Sequence, residues 1–184
     1  VLHANAALGI ASGGTAVVVG AGSIGVLGAW AMLAAGARVV VVQRSPARRE
    51  LARSLGLDAI GPDEDPAAVL GEAPGAALVA APGADALAWA LERVAVGGRV
   101  HAFASTTGGA GVDANVVHYR HLALVGSTGS TLADYRRALE LARTGAVPLD
   151  RLPTREVALD EMPAVLRGER DDAGVLKYVA APSA

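Results

Sequence analysis

The sequence predicts an α/β protein built on a doubly wound, six-stranded parallel sheet. Three observations carry that expectation. Short apolar runs alternate with helical runs up to residue 146, which is the pattern of a parallel sheet covered on both faces. The stretch from Thr15 to Gly36, TAVVVGAGSIGVLGAWAMLAAG, passes from a strand through a glycine turn into a helix, and a second strand follows at the spacing of a βαβ unit. The composition, 52% hydrophobic and 18% charged over 184 residues, suits one globular domain with a sizeable core.

Taken in order, Val1 to Ser12 reads as a helix ending near Gly13-Gly14, in a chain entered partway because it starts without Met. The first strand, Ala16 to Val19, runs into Gly20-Ala21-Gly22-Ser23-Ile24-Gly25. Gly20 lets the backbone turn sharply, Gly22 removes a Cβ where a pyrophosphate must come close, and Gly25 lets the helix pack tightly on the strand. The free amides and positive dipole end of that helix then face the phosphates. Gly28, inside the helix, costs roughly 1 kcal/mol against Ala, and close approach to the sheet accounts for it. Val26, Trp30 and Leu33 form a second apolar face of the same helix, which calls for a second cover from a neighbouring helix or another domain.

The second strand spans Arg38 to Val42. Ser45 then caps a helix with Pro46 at its first position, running to Leu55 and closing at Gly56. A short strand at Asp58 to Ile60, a polar loop (Gly61 to Pro66) and a weak helix (Ala67 to Gly71) follow. Next come a strand at Ala76 to Ala81, a turn at Pro82-Gly83, a helix at Asp85 to Ala95 and a strand at Arg99 to Ala104. The loop Ser105 to Gly111, a short helix around Asn115 to Tyr119 and a strand at Leu122 to Gly126 lead to a helix from Leu132 to Thr144, capped by Ser130 or Thr131. The expected strand order is 3-2-1-4-5-6, with ligand at the carboxyl ends. Val147 to Ala184 offers a strand (Arg155 to Ala158), a helix (Glu161 to Arg167), a charged turn (Gly168 to Asp172) and a strand (Val175 to Val179). That is too little for its own core, so it must dock elsewhere.

The end of the second strand decides the nicotinamide cofactor. The acidic residue that accepts hydrogen bonds from the adenosine ribose in NAD sites is replaced by Gln43, followed by Arg44, Ser45 and Arg48. A carboxylate there repels a 2′-phosphate, whereas a guanidinium grips it, so NADP is favoured over NAD. Arg49 and Arg53 read as a solvated helix face.

Other functions are poorly supported. Net charge is −2 and the only basic run is that of Arg44, Arg48, Arg49 and Arg53, so nucleic acid and membrane surfaces are not expected partners. No window reaches the roughly 18 apolar residues of a membrane span, and no signal segment opens the chain, which gives a cytoplasmic expectation. Cysteine is absent, excluding disulfides and cysteine-held zinc. His118 and His121 lack a third ligand nearby, and Ser105, Thr106 and Thr107 lack a nucleophile elbow, so no catalytic or metal-binding residue is assigned.

The order of GAGSIG, VVVVQRSPARRELARSLG, AAPG, GGRVHAF, VVHYRHLALVGSTGS, DYRRALELARTG, LDEMPAVLRG and GVLKYVAAP resembles the coenzyme-binding half of medium-chain, zinc-type alcohol and polyol dehydrogenases, of the sorbitol and threonine dehydrogenase kind. The resemblance runs from Val1 to Pro182. It implies a Rossmann domain over residues 1–146, with 1–12 as a linking helix, and a segment over 147–184 returning to a catalytic domain that precedes Val1. The catalytic zinc ligands would lie in that missing domain, leaving this chain to bind coenzyme without performing hydride transfer alone. It also implies that Gly20, Gly22, Ser23, Ile24 and Gly25 form the pyrophosphate turn. Gln43, Arg44, Ser45 and Arg48 would form the adenosine end. The loops at Ala81, Pro82 and Gly83, at Ala104, Ser105 and Thr106, and at Ser127 and Thr128 would line the nicotinamide ribose and ring. The apolar edge strand LALV would join subunits into a homodimer or tetramer. The implied reaction moves hydride between NADP(H) and a secondary alcohol or ketone of polyol, sugar or cyclitol type. A stand-alone dinucleotide sensor is the first alternative, and the returning segment argues against it. A zinc-independent enone or quinone reductase is the second, and the compact GAGSIG turn argues against that.

Overall fold

Six β-branched or alanine-rich strands, each short and bounded by turn residues, pair side by side in parallel in the computed structural model, which describes residues 1–106, 109, 111–169 and 174–181. They are β1 (Thr15–Val19), β2 (Arg38–Val42), β3 (Asp58–Ile60), β4 (Ala76–Val79), β5 (Arg99–Ala102) and β6 (Ala123–Val125), in the order β3-β2-β1-β4-β5-β6. Every residue of β1 is buried, because a central parallel strand has helices on both faces and no side to give to water. Alternate residues therefore feed two cores. Ala16 and Val18 of β1, with Val39 and Val41 of β2, pack with α1 (Leu2–Leu8) and α2 (Ser23–Ala34). Val17, Val19, Val40 and Val42 point the other way, into a core shared with Leu87, Leu91 and Val94 around α5 (Ala84–Arg93).

The helix after β1 has two buried faces. Gly28 approaches the sheet so closely that a Cβ on it would lie 2.6 Å from Leu78 Cδ2. Trp30 is covered instead by α3 (Pro46–Ser54), where its Nε1 donates to the Leu55 carbonyl at 3.3 Å. A neighbouring helix thus covers Trp30, while Leu33, expected on the same face, stays exposed.

Several boundaries differ from the sequence reading. Helix α1 stops at Gly9, whose φ of 63° ends the helical path four residues before the Gly13-Gly14 pair. Strands β4 and β5 end at Val79 and Ala102, and Phe103 and Ala104 both donate their amides to the Val79 carbonyl, which closes the ladder early. The weak helix is α4 (Pro66–Leu70), and the short one is α6 (Ala114–Tyr119). Thr131, not Ser130, caps α7 (Leu132–Arg143), in a reciprocal box with Asp134.

The C-terminal segment forms a parallel pair, β7 (Thr154–Ala158) with β8 (Lys177–Ala181), linked through α8 (Met162–Leu166). The last strand begins two residues later than expected, because the amides of Leu176 and Lys177 both turn to the Pro153 carbonyl. Val157 is buried, Leu152 and Leu176 pack on the first core, and Arg151 Nη2 donates to the Ser54 carbonyl at 3.0 Å. Residues 170–172 of the predicted charged turn, and Thr107 in the loop after β5, lie outside the described residues. Among the described residues no helix is long and apolar enough to cross a membrane.

Candidate functional site

The carboxyl ends of β1, β2 and β4 open into a cleft of about 690 Å³. Its floor is the turn between β1 and α2. Gly20 has a φ of 109°, and a Cβ there would lie 2.9 Å from the Ala81 amide nitrogen, so both backbone path and packing demand glycine. Gly25 is required for a different reason: a Cβ would come within 1.9 Å of the Gly20 carbonyl oxygen. Gly22 is unlike either. Its φ of −81° and ψ of −179° suit any residue, and an added Cβ would meet no protein atom within 4 Å. Nothing in the protein needs glycine at that position, while the cleft beside it gains room for a phosphate to approach the backbone. Gly22 is also the N-cap of α2 and contributes no side-chain acceptor, which leaves amides of the first turn available to an anion.

One wall is the loop between β2 and α3. Gln43, Arg44 and Arg48 line the cleft, with Arg44 exposed and Arg48 half-buried. Ser45 turns away to its structural task. Its Oγ accepts from the Arg48 amide at 3.4 Å, and its own amide donates to Gln43 Oε1 at 3.3 Å. The opposite wall carries Ala80 to Gly83, Asp85, Ala86 and Trp89, with Pro62 and Leu176 beside them. The Trp89 indole donates to the Pro62 carbonyl at 2.8 Å, and the Arg93 guanidinium lies 4.6 Å above its ring.

Of the seventeen residues singled out from the sequence, nine line this cleft: Gly20, Gly22, Ser23, Gln43, Arg44, Arg48, Ala81, Pro82 and Gly83. Ile24, Gly25, Ser45, Ala104, Ser105, Thr106, Ser127 and Thr128 do not. Ser127 instead sits 2.8 Å from Nε2 of His101, a fully buried imidazole whose Nδ1 has no hydrogen-bond partner among the described residues. Burial pushes the His101 pKa below its ordinary value. Sequence reasoning passed over Pro62, Asp85, Trp89 and Leu176. Trp89 had a usable signal, since it falls one helical turn after Asp85 in the helix that follows the Pro82-Gly83 turn. Leu176 had none.

Arg53 is exposed, as expected of a solvated face, but Arg49 is half-buried and both guanidiniums are tied to backbone. Arg49 Nη1 donates to the carbonyls of Gln43 and Arg44, and Arg53 Nη2 donates to the Ala59 carbonyl at 2.6 Å. Among the described residues no group of three His, Asp or Glu side chains is placed to hold a metal ion, so the residues present do not fit a zinc site.

No curated protein matches the chain by sequence. Solved structures match throughout its length. The 2R,3R-butanediol dehydrogenase of Bacillus subtilis is 22% identical with a TM-score of 0.85, the match covering 99% of this chain and 55% of that one. An alcohol dehydrogenase from E. coli CFT073, complexed with NADH, is 18% identical with a TM-score of 0.85, over 98% of this chain and 56% of that one. A protein described as a zinc-binding dehydrogenase, from Sinorhizobium meliloti 1021 and bound to NADP, is 25% identical with a TM-score of 0.82, over 97% of this chain and 56% of that one. The chain thus spans about half the length of these structures. The family model for zinc-binding dehydrogenases matches residues 23–144, from the turn at the cleft floor to the end of α7, and the chain belongs to that family.

Proposed function

We propose that the chain is the coenzyme-binding part of an oxidoreductase that moves hydride between NADP(H) and a secondary alcohol or its ketone, of polyol, sugar or cyclitol type. The observation that carries the choice of NADP(H) is the wall after β2: no carboxylate stands at the strand end, and Arg44 and Arg48 line the cleft in its place. The backbone at Gly20, Gly22 and Ser23 would hold the pyrophosphate, Gln43 the adenosine ribose, and Arg44 with Arg48 the 2′-phosphate. Bound there, the nicotinamide supplies the hydride chemistry. The protein's share is to fix the dinucleotide along the strand ends. The loops after β5 and β6, with Ala104, Ser105 and Ser127, would approach its nicotinamide end.

The remainder of the reading concerns what lies outside the chain. Residues 1–146 form the coenzyme domain, and 147–184 lead back toward a catalytic domain that carries the substrate-polarising zinc. The edge strand β6, with Leu124 exposed, would pair with a second copy in a homodimer.

Titration with NADPH and NADH tests the reading. NADPH is expected to bind at least about tenfold tighter, a difference of about 1.4 kcal/mol, and Arg44→Ala to abolish the difference. Equal or tighter binding of NADH would overturn the NADP(H) assignment while leaving the family unaffected.

A further inference from the structure

We infer that Arg49, which does not itself line the cleft, is the positioning residue that gives the cleft its preference between phosphorylated and unphosphorylated dinucleotide, an inference that rests on the NADP(H) reading above. Its backbone amide bonds Ser45 in the ordinary helical way, but its side chain turns back over the start of α3. There a single nitrogen, Nη1, donates to the Gln43 carbonyl at 2.8 Å and to the Arg44 carbonyl at 2.7 Å. A guanidinium nitrogen of this kind has two hydrogens, one for each oxygen. The Gln43 amide is also taken, by the Ile60 carbonyl at 3.0 Å, and its side-chain oxygen accepts from Ser45. The link from β2 to α3 is therefore pinned at successive peptide groups.

The same guanidinium lies beside the loop that follows β3. A Cβ built on Gly61 would lie 3.7 Å from Arg49 Nη1, and the Gly61 amide donates to Glu64 Oε1 at 2.6 Å. The next residue, Pro62, carries the carbonyl that receives the Trp89 indole. Arg49 thus pins the loop bearing Arg44 next to the loop whose Pro62 carbonyl anchors Trp89.

Two consequences follow for a 2′-phosphate. Arg44 is an exposed, flexible side chain, and it leaves the backbone at a residue whose carbonyl is fixed, so less freedom is lost when it closes on an anion. The Gln43 and Arg44 carbonyls turn their negative ends to the Arg49 guanidinium, so neither is free to swing toward a phosphate. Neither effect helps a dinucleotide that lacks the 2′-phosphate. Leucine at this position would keep the apolar stem and lose both bonds.

The test is a set of NADPH and NADH titrations, followed by tryptophan fluorescence, on the chain, on Arg49→Leu, on Arg44→Ala and on the double variant, each well below its melting temperature. Arg49→Leu is expected to cut the preference for NADPH at least about fivefold and to change NADH affinity less than about twofold. In the Arg44→Ala background it should change the preference less than about twofold, because it acts through Arg44. Should Arg49→Leu fold poorly, Arg49→Gln, whose shorter neutral amide cannot reach both carbonyls, should lower the preference at least about threefold. An unchanged preference in the single variants overturns the inference, as does an equal loss with and without Arg44, which would mean direct contact with the phosphate. If the unaltered chain shows no preference for NADPH, the NADP(H) reading falls first and the inference falls with it.

Discussion

On the side of the cleft built from β1, β2 and β4, Gly22 leaves space that no protein atom fills and Arg44 stands exposed at the strand end. On the side built from β5 and β6, the Ser127 hydroxyl is already bonded to the buried imidazole of His101. A gap and a charge with no partner among the described residues are what a ligand site requires. A hydroxyl already bonded inside the fold marks a place made for stability, even where topology puts it near the ligand's path.

The largest effect that would sharpen this contrast belongs to a glycine with a purely structural task. Gly25→Ala places a Cβ against the backbone oxygen of Gly20, where no side chain can move aside. It should destabilise the protein by about 3 kcal/mol or more, read as a drop of at least about 6 °C in melting temperature. A melt within about 1 °C of the parent would mean that the turn is looser than the structure indicates.

The buried histidine gives a smaller, pH-dependent effect. His101 holds its proton less readily in the fold than in the unfolded chain, so the unfolded state takes up protons first as pH falls. The stability its neutral form contributes is complete above about pH 6.5 and is lost as pH drops toward the lower, folded value. Melting temperature should therefore fall between about pH 7 and pH 5, and His101→Leu should flatten that part of the profile. A parent profile already flat there would contradict the burial argument.

The smallest effect tests the comparison itself. Ser127→Ala should lower stability by about 1 kcal/mol through the lost bond to His101 and leave dinucleotide affinity within about twofold. A tenfold loss of affinity would move Ser127 to the ligand-facing group and erase the difference between the two sides.

Much of this was legible from residue types. Continuous valine runs such as Val39 to Val42 announce strands buried on both faces, and Ser45-Pro46 announces a helix start. The strand order followed from the alternation of strands and helices, and the cleft floor from GAGSIG. What escaped was long-range or conformational. Gly9 ends α1 through its left-handed backbone, which a lone glycine in an otherwise helical run does not announce. Arg49 looked solvated because charged helix residues usually are, and its targets are carbonyls, which every residue carries and no sequence distinguishes. Leu176 reaches the cleft only through the docking of the C-terminal pair on the first core, a contact set by packing across the whole chain.

The central claim is that a pyrophosphate rests against the backbone at Gly22, and the measurement that tests it most directly is NADPH affinity in Gly22→Asp, taken together with its melting temperature. Aspartate is a favoured helix N-cap, suits the extended backbone at this position and meets no protein atom near its Cβ, so the fold should melt no lower than the parent. Its carboxylate would occupy the space left for the phosphates and repel them. The account predicts an undiminished melt with affinity lowered by at least about a hundredfold, roughly 2.7 kcal/mol. An undiminished melt with NADPH bound as tightly as by the parent would contradict it and place the dinucleotide elsewhere.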